Sequence, residues 1–293
     1  MKSNYFLCPL LIAFILSSVL ASRSDAADVI VVGDTRLKPV VEIVSGIRKT
    51  LDATMKAFSP SEVKGRLAQL VERESAKVVI TLGREAMNEA LHLPPATPVI
   101  FGLVVTPPPI NRPNTTGFYM ATPVREYTEL IRNHLHAIKQ VAVVGCRDQL
   151  RLLVRDESPQ VVSYSVRTPS ELVSTVNRLD TADAILLLPD VSLLTASAME
   201  ETYLHSFRKG IPLLGISEKN VKEGALLALV VDPVNVGRQI GEYATRAVRG
   251  GNVGQIPPAP PRKFELYLNT ATARKMGIQI PNELLRMAKR VYQ

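Results

Sequence analysis

Several polar residues stand where an apolar run stops: Asp190 after DAILLLP, Ser217 and Glu218 after GIPLLGI, and Asp232 after GALLALVV. Gathered at one place, such residues suit non-covalent capture of a small zwitterion. A carboxylate at Asp190 or Asp232 would accept hydrogen bonds from an ammonium. Ser217 and Thr35 each open a possible helix, where hydroxyls and free N–H groups favour a carboxylate. Arg84, directly after Gly83, carries the planar fork that grips the same group through two parallel bonds. Phe101 and Tyr164 are the rings that could stack on a ligand. Each assignment has a structural alternative: a strand-end Asp can cap the next helix, Arg84 can be a solvated first-turn side chain, the rings can be core or surface, and Glu218 reads as surface or cap.

Enzyme chemistry finds less support. Gly215-Ile216-Ser217-Glu218-Lys219 starts like the sharp turn that exposes a nucleophilic serine but lacks its final glycine. His92, His134, His136 and His205 all fall within or at the ends of predicted helices, so no base is assigned to such a serine. HExxH, CxxC, P-loop and GxGxxG patterns are absent. His134 and His136, two apart on a helix, point to different faces and make poor joint metal ligands. No catalytic residue, metal or cofactor is expected. The net charge of +8 comes from dispersed Lys and Arg with no basic run of five, which describes a basic surface and not a nucleic-acid footprint.

The elements that must position these residues are legible as alternating strand-length apolar runs and helical segments, the pattern of βα units in a parallel sheet buried on both faces. DVIVVG (28–33), KVVITL (77–82) and TPVIFGLVV (97–105) are strands, with a weaker one at 53–58. Pro39 opens a helix whose face is Val40, Ile43, Val44 and Ile47. Ser59-Pro60-Ser61-Glu62 and Thr168-Pro169-Ser170-Glu171 are helix starts with a capping box. VAVVG (141–145), VVSYSV (161–166) and the three runs between Asp183 and Asp232 supply further strands, with a polar turn after Ser217. KFELYLN (263–269) is the last strand, followed by a helix from Thr270 to Gly277 and another from Asn282 to Val291. With 293 residues, no Trp and 46% hydrophobic content, the core must be mostly aliphatic.

Thr106 to Asn114 carries four prolines in nine residues, and a second proline-rich stretch, IPPAPPRK, follows Gly254. Stretches of this kind read as stiff extended connections. A second connection so late in the chain makes sense if the chain crosses back. The expected fold is therefore α/β, two doubly wound parallel-sheet lobes joined by a multi-crossover hinge. Residues 27–105 plus about 234–256 form lobe 1, and 115–232 plus about 262–270 form lobe 2. Hinge connections lie at 106–114 and 256–262, and the lobe of the C-terminal helices in 271–293 is left open. Open α/β sheets bind ligands at strand carboxyl ends, and domain interfaces are a second preferred place; here the two coincide. Thr35, Gly83, Arg84, Phe101, Asp190, Ser217 and Asp232 are the expected ligand-binding residues.

The amino terminus reads as an export signal: Lys2, an apolar stretch from Phe6 to Leu20, and small residues at Ser24 and Ala26 for cleavage. The predicted signal peptide is 1–26, which places the mature protein in the periplasm or otherwise outside the cytoplasm. Cys146 is then the one remaining cysteine, so no internal disulfide is available. After the strand VAVVG it reads as a small buried or half-buried residue.

TPVIFGLVVTPP followed by NTTGFYMATPVREYTELIRNHLHAIKQVAVVG resembles the substrate-binding proteins of one ABC-transporter family, with a strand ending in Phe, a crossing and a "TG" element before the next helix and strand. GIPLLGISEKNVKEGALLALVVDPVNVGRQIGEYATRAVRGG and IPPAPPRKFELYLNTATARKMGIQIPNELL are similar to the family's second half. The resemblance covers roughly residues 76–290 and is looser before residue 76, where the chain is shorter than the family pattern. It implies a fold like type I periplasmic binding proteins, with three crossovers and capture of a small organic ligand by lobe closure. Some members are associated with tryptophan or other aromatic amino acids. The partners it implies are a small-molecule ligand and an ABC permease, or a membrane receptor if the same fold serves sensing, with no nucleic acid and a monomeric chain. A hydrolase or transferase on an α/β scaffold is the reading of another class.

Overall fold

The computed structural model describes residues 26–107, 112–154 and 160–293. Apart from Ala26 the predicted signal peptide lies outside them, as does part of the first proline-rich stretch.

The first sheet is built from five parallel strands, β1 (Val29–Val32), β2 (Met55–Phe58), β3 (Val78–Leu82), β4 (Val99–Val104) and β5 (Thr115–Tyr119), in the order β2-β1-β3-β4-β5. Its first helices are α1 (Lys38–Arg48), α2 (Pro60–Val63), α3 (Leu67–Glu74) and α4 (Arg84–Ala90). Strand alternation divides the apolar runs between two faces. Val29, Val31 and Ile80 pack with Ile43 and Ile47 of α1. Ile30, Val32 and Val79 pack on the other side with Met87 of α4. Ser59 caps α2 as predicted: the Glu62 carboxylate accepts the Ser59 N–H at 2.6 Å and the Glu62 N–H donates to Ser59 Oγ.

The second sheet has seven strands. β6 (Val141–Gly145), β7 (Val161–Ser165), β8 (Ala184–Leu187), β9 (Leu213–Gly215) and β10 (Leu227–Val231) are parallel, connected through α6 (Arg147–Leu153), α7 (Pro169–Val176), α8 (Ala196–Lys209) and α9 (Glu218–Glu223). α5 (Val124–His134) leads into β6. α10 (Pro233–Val248) leaves the sheet, and β11 (Phe264–Asn269), α11 (Thr270–Lys275), α12 (Asn282–Met287) and β12 (Arg290–Tyr292) return to it, giving the order β12-β11-β10-β9-β8-β6-β7. The pairing of β10 with β11 is antiparallel, so the sheet is mixed and not wholly parallel.

The chain crosses between the sheets three times: at 120–123 from β5 to α5, at Asp232 from β10 to α10, and at 249–263 from α10 to β11. α10 packs on the first sheet, where Val236, Ile240 and Ala244 join the α1 face of the core. The second proline-rich stretch runs along β5. Ala259, between two proline pairs, donates its N–H to Gly117 O and accepts the Tyr119 N–H, each at 3.1 Å.

Three local expectations are corrected. The stretch 106–114 lies between β4 and β5, which pair as parallel neighbours in the same sheet, so lobe 2 does not begin at 115 and the crossing comes after Tyr119. β5 reads TTGFY, too polar at its start for the apolar-run pattern to reveal. The polar turn after Ser217 is helix α9. The closing helix stops at Met287, because Arg290–Tyr292 is recruited as an edge strand beside β11. The tail itself belongs to the second lobe, where Ala273 and Leu284 are core.

Candidate functional site

The parallel strands of both sheets turn their carboxyl ends toward the crossings, since β5 and β10 each end where the chain passes over. The loops that follow β1, β3 and β4 in one lobe and β6, β8 and β9 in the other therefore face one mouth. This is the position at which open α/β sheets hold ligands.

On the first lobe, Thr35 is exposed in the turn after β1. Its neighbours Asp34 and Arg36 are bound to each other, with Arg36 Nη2 donating to Asp34 Oδ2 at 2.8 Å. That guanidinium holds the Asp34 carboxyl at about 2. Gly83 ends β3 at a φ of +97°, a conformation that costs glycine little, and a Cβ there would meet no atom within 4 Å. Its backbone is thus open on that side. Arg84 follows as the first residue of α4 and is exposed. At the end of β4 the pairing with β5 slips between Phe101 and Val104, and Leu103 adopts a left-handed φ of +56°, which is strained for a bulky residue.

On the second lobe, Asp190 follows β8. Its Oδ1 accepts the Ser192 N–H at 2.9 Å and the Ser192 hydroxyl at 2.6 Å. Partial burial pushes the carboxyl up, but these bonds and one from the Cys146 thiol outweigh it, and the pKa is lowered. Cys146 is half-buried at the end of β6, so the two strand ends meet through this thiol–carboxylate contact. Gln149, on the first turn of α6, donates to the carbonyl of Pro189, while its Oε1 is buried with no partner among the described residues.

The remaining predicted residues are placed differently. Phe101 is 2% exposed and is core between β4 and α4, packed so closely against Gly117 that a Cβ there would overlap its ring. It cannot stack on a ligand at the mouth, a correction to the sequence-based assignment. Tyr164 is half-buried against the α7 side of the second sheet. Ser217 caps α9: its Oγ accepts the Asn220 N–H at 3.2 Å and donates to Asn220 Oδ1 at 2.9 Å. Its hydroxyl is therefore engaged within its own loop. Glu218 ties down the carboxyl-terminal strand through Arg290 at 2.9 Å and the Tyr292 hydroxyl, and pairs with Lys222 of its own helix at 3.1 Å. Asp232 caps α10, accepting the Val234 N–H at 2.9 Å through Oδ1.

Thr35, Gly83, Arg84, Asp190 and Asp232 thus lie just after strands or at a crossing. Cys146, Gln149 and Leu103 join them. Cys146 was signalled by the strand VAVVG before it; nothing in the sequence marked Gln149. Among the described residues no cluster of three His, Cys, Asp or Glu could hold a metal, and no helix is long and apolar enough to cross a membrane.

Comparison with known proteins agrees with this architecture. A tyrosine-binding protein of Clostridioides difficile is 26% identical over 132 residues, which is 45% of this chain and 38% of that protein's length. Among solved structures, a ligand-free, open substrate-binding protein with adhesive properties from Clostridium difficile gives a TM-score of 0.65 at 16% identity, covering 90% of this chain and 99% of that one. A domain from Streptococcus pneumoniae in complex with L-Trp gives 0.55 at 18% identity, with 90% and 99% covered. A conserved domain protein from Vibrio cholerae gives 0.57 at 19%, with 91% and 99% covered. The fold is that of a type I periplasmic binding protein. The family model of ABC transporter substrate binding proteins matches residues 58–292, and the chain belongs to that family.

Proposed function

We propose that this chain is exported and captures a small organic ligand, an amino acid or related anion, between the carboxyl ends of its two sheets, for delivery to an ABC permease. The observation that carries this is the set of three crossings at one end of both sheets. A short hinge of that kind lets two rigid lobes close on a ligand with little internal rearrangement. The tyrosine-binding relative and the L-Trp complex support an amino-acid-like ligand.

The residues proposed to meet the ligand are Thr35, Arg84 and the Gly83 backbone from one lobe and Asp190 from the other, with Asp232 at a crossing. Asp190, whose Oδ1 is taken by Ser192, brings an ionised carboxylate to a ligand donor. Ser217 serves as the cap of α9. The engagement of Ser217 with Asn220 argues against a nucleophilic role.

A thermal-shift screen of the purified protein with amino acids, keto acids, purines, sugars and small anions tests the reading. A ligand at 100 times its dissociation constant stabilises the folded state by about 2.7 kcal/mol. Turnover of an ester substrate that Ser217→Ala abolished would replace the binding reading with a hydrolase.

A further inference from the structure

Helix α8 (Ala196–Lys209) is built the wrong way round for a helix that lies on a core. Its buried side carries Ala198, Thr202, His205 and Ser206. The Thr202 hydroxyl donates to Ala198 O at 2.7 Å and the Ser206 hydroxyl to Ile211 O at 2.6 Å. Its outward side carries Leu204, 55% exposed, and Phe207, 39% exposed. With Met199 and Tyr203 these two line a cavity of about 520 Å³ between α8 and α9. A surface helix ordinarily buries its apolar stripe and turns its polar face to water. An exposed apolar patch rimmed by charge marks a contact surface for another macromolecule.

The charges on that outward side are unpaired. Among the described residues Glu200, Glu201 and Arg208 are exposed and form no salt bridge or side-chain hydrogen bond. Other helix charges find a partner four residues along, as Lys38 does with Glu42, Arg125 with Glu129 and Lys219 with Glu223. Glu201 and Arg208 are seven residues apart, and the positions between them that either could reach are Leu204 and His205. Two turns of helix separate the pair by about 10.5 Å along the axis, too far to meet within one chain. Both nonetheless stand on one flank of Leu204, about 60° and about 40° round the helix from it.

We propose that this face pairs with a second copy of the chain, the two α8 helices running antiparallel about a two-fold axis at Leu204. Such an axis sets each residue against the one equally far beyond Leu204 in the other copy. Leu204 then meets itself. Glu201 lies three residues before the axis and Arg208 four after it, so the two come level between copies to within one residue's rise, about 1.5 Å, and on the same flank. A Glu–Arg pair forms at each end of the contact, joining charges that a single chain leaves unpaired. On the other flank the apolar grooves beside Phe207 face each other and cover one another. An acid and a base placed symmetrically about an exposed leucine form a self-complementary surface, whereas a partner of uniform charge would match only half of it. The helix runs alongside the second sheet and not across its strand ends, so each copy keeps its cleft open. One helix pair buries near or below the ~1,200 Å² at which stable interfaces begin, so the monomer expected from the sequence is the dilute state.

Sedimentation velocity of the purified protein, from micromolar to near-millimolar concentration, provides the test. The mass should rise from one chain to two, and L204D should hold it at one. R208E and E201R should each raise the dissociation constant at least tenfold, because each sets like charges against one another at both ends of the contact. The double variant E201R/R208E should recover the dimer. So should an equal mixture of R208E and E201R, in which opposite charges face again; recovery by mixing cannot come from a folding defect, since both chains would carry it. A protein that stays one chain at every concentration overturns the proposal. A dimer whose dissociation constant L204D leaves unchanged overturns it too, by placing the contact elsewhere, and a mixture that fails to recover overturns the antiparallel pairing.

Discussion

Gly46 of α1 and Gly237 of α10 meet with no side chain between them: a Cβ on either would lie 2.9 Å from the other's Cα. The contact is backbone on backbone. A Cβ on Gly237 would come within 2.0 Å of Ile43 O, and one on Gly46 within 2.1 Å of Val234 O. Further along, Thr50 Oγ1 donates to Arg238 O at 2.7 Å and Arg249 pairs with Asp52 at 2.7 Å. Since α10 begins one residue after the Asp232 crossing, this contact fixes where the returning chain attaches to lobe 1.

Gly237→Ala should therefore be costly although alanine favours helix. The methyl group has no flexible neighbour to displace, so the helices must separate, and overpacking of this kind costs about 1–3 kcal/mol or more. Urea unfolding should show a lower midpoint with an unchanged slope. Gly250→Ala is the control, because a Cβ there meets nothing within 4 Å, and only its φ of +85° opposes the change. Equal, small losses at the two positions would mean that α1 and α10 are less tightly joined than their geometry indicates.

His205 gives the protein an acid-sensitive window. It lies on α8, is 5% exposed, and its Nε2 has no partner among the described residues. Burial lowers its pKa from 6.5, as do Lys209 and Arg208, while Asp180 acts the other way. The folded protein thus holds His205 neutral where the unfolded chain takes up a proton. Its contribution is complete above pH 6.5 and is lost as pH falls from there through the lowered folded value. Stability at pH 5.5 should be below that at pH 7.5, and His205→Gln should narrow the difference. An unaltered difference in the variant would assign the effect to other groups.

Cys146 is a built-in reporter for the cleft. Its thiol contacts Asp190, so a ligand that reaches Asp190 should shield it. In a Cys8→Ser background it is the one thiol of the chain. Maleimide labelling should slow several-fold when a screened ligand is bound, and the protection should fade in Asp190→Ala as affinity drops. Equal labelling rates with and without a bound ligand would place the ligand away from β6 and β8.

The sequence revealed where to look better than which atoms are free. Continuous apolar runs marked the strands that end at the mouth, since a strand buried on both faces has few polar positions to confuse the pattern. β5 escaped because Thr115, Thr116 and Gly117 break that pattern, and with it went the true place of the first crossing. Phe101 was misassigned because alternation says that Val99 and Phe101 share a face but not that the face is covered by α4. Ser217 shows the same limit at smaller scale. An asparagine three residues on competes for its hydroxyl, and only coordinates show that it does. Asp190 shows it too: read as a ligand carboxylate or a cap, it bonds Ser192 two residues on, as aspartates in turns do.

Asp232 is where cap and ligand contact can be separated. Oδ1 accepts the Val234 N–H at the start of α10, and Pro233 occupies the first helical position, where its missing N–H costs nothing. Asn at a helix cap is about as good as Asp, whereas Ala loses roughly 1 kcal/mol. Asp232→Asn should therefore melt close to the unsubstituted protein, and Asp232→Ala below it. If the carboxylate also receives a ligand ammonium, both variants should bind at least tenfold more weakly, roughly 1.4 kcal/mol. Because Asp232 lies on a crossing, the Asn variant keeps the crossing geometry and removes only charge, so a loss of affinity in it reports the contact and not the hinge. Full affinity in Asp232→Asn with reduced stability in Asp232→Ala would assign the residue to the cap alone.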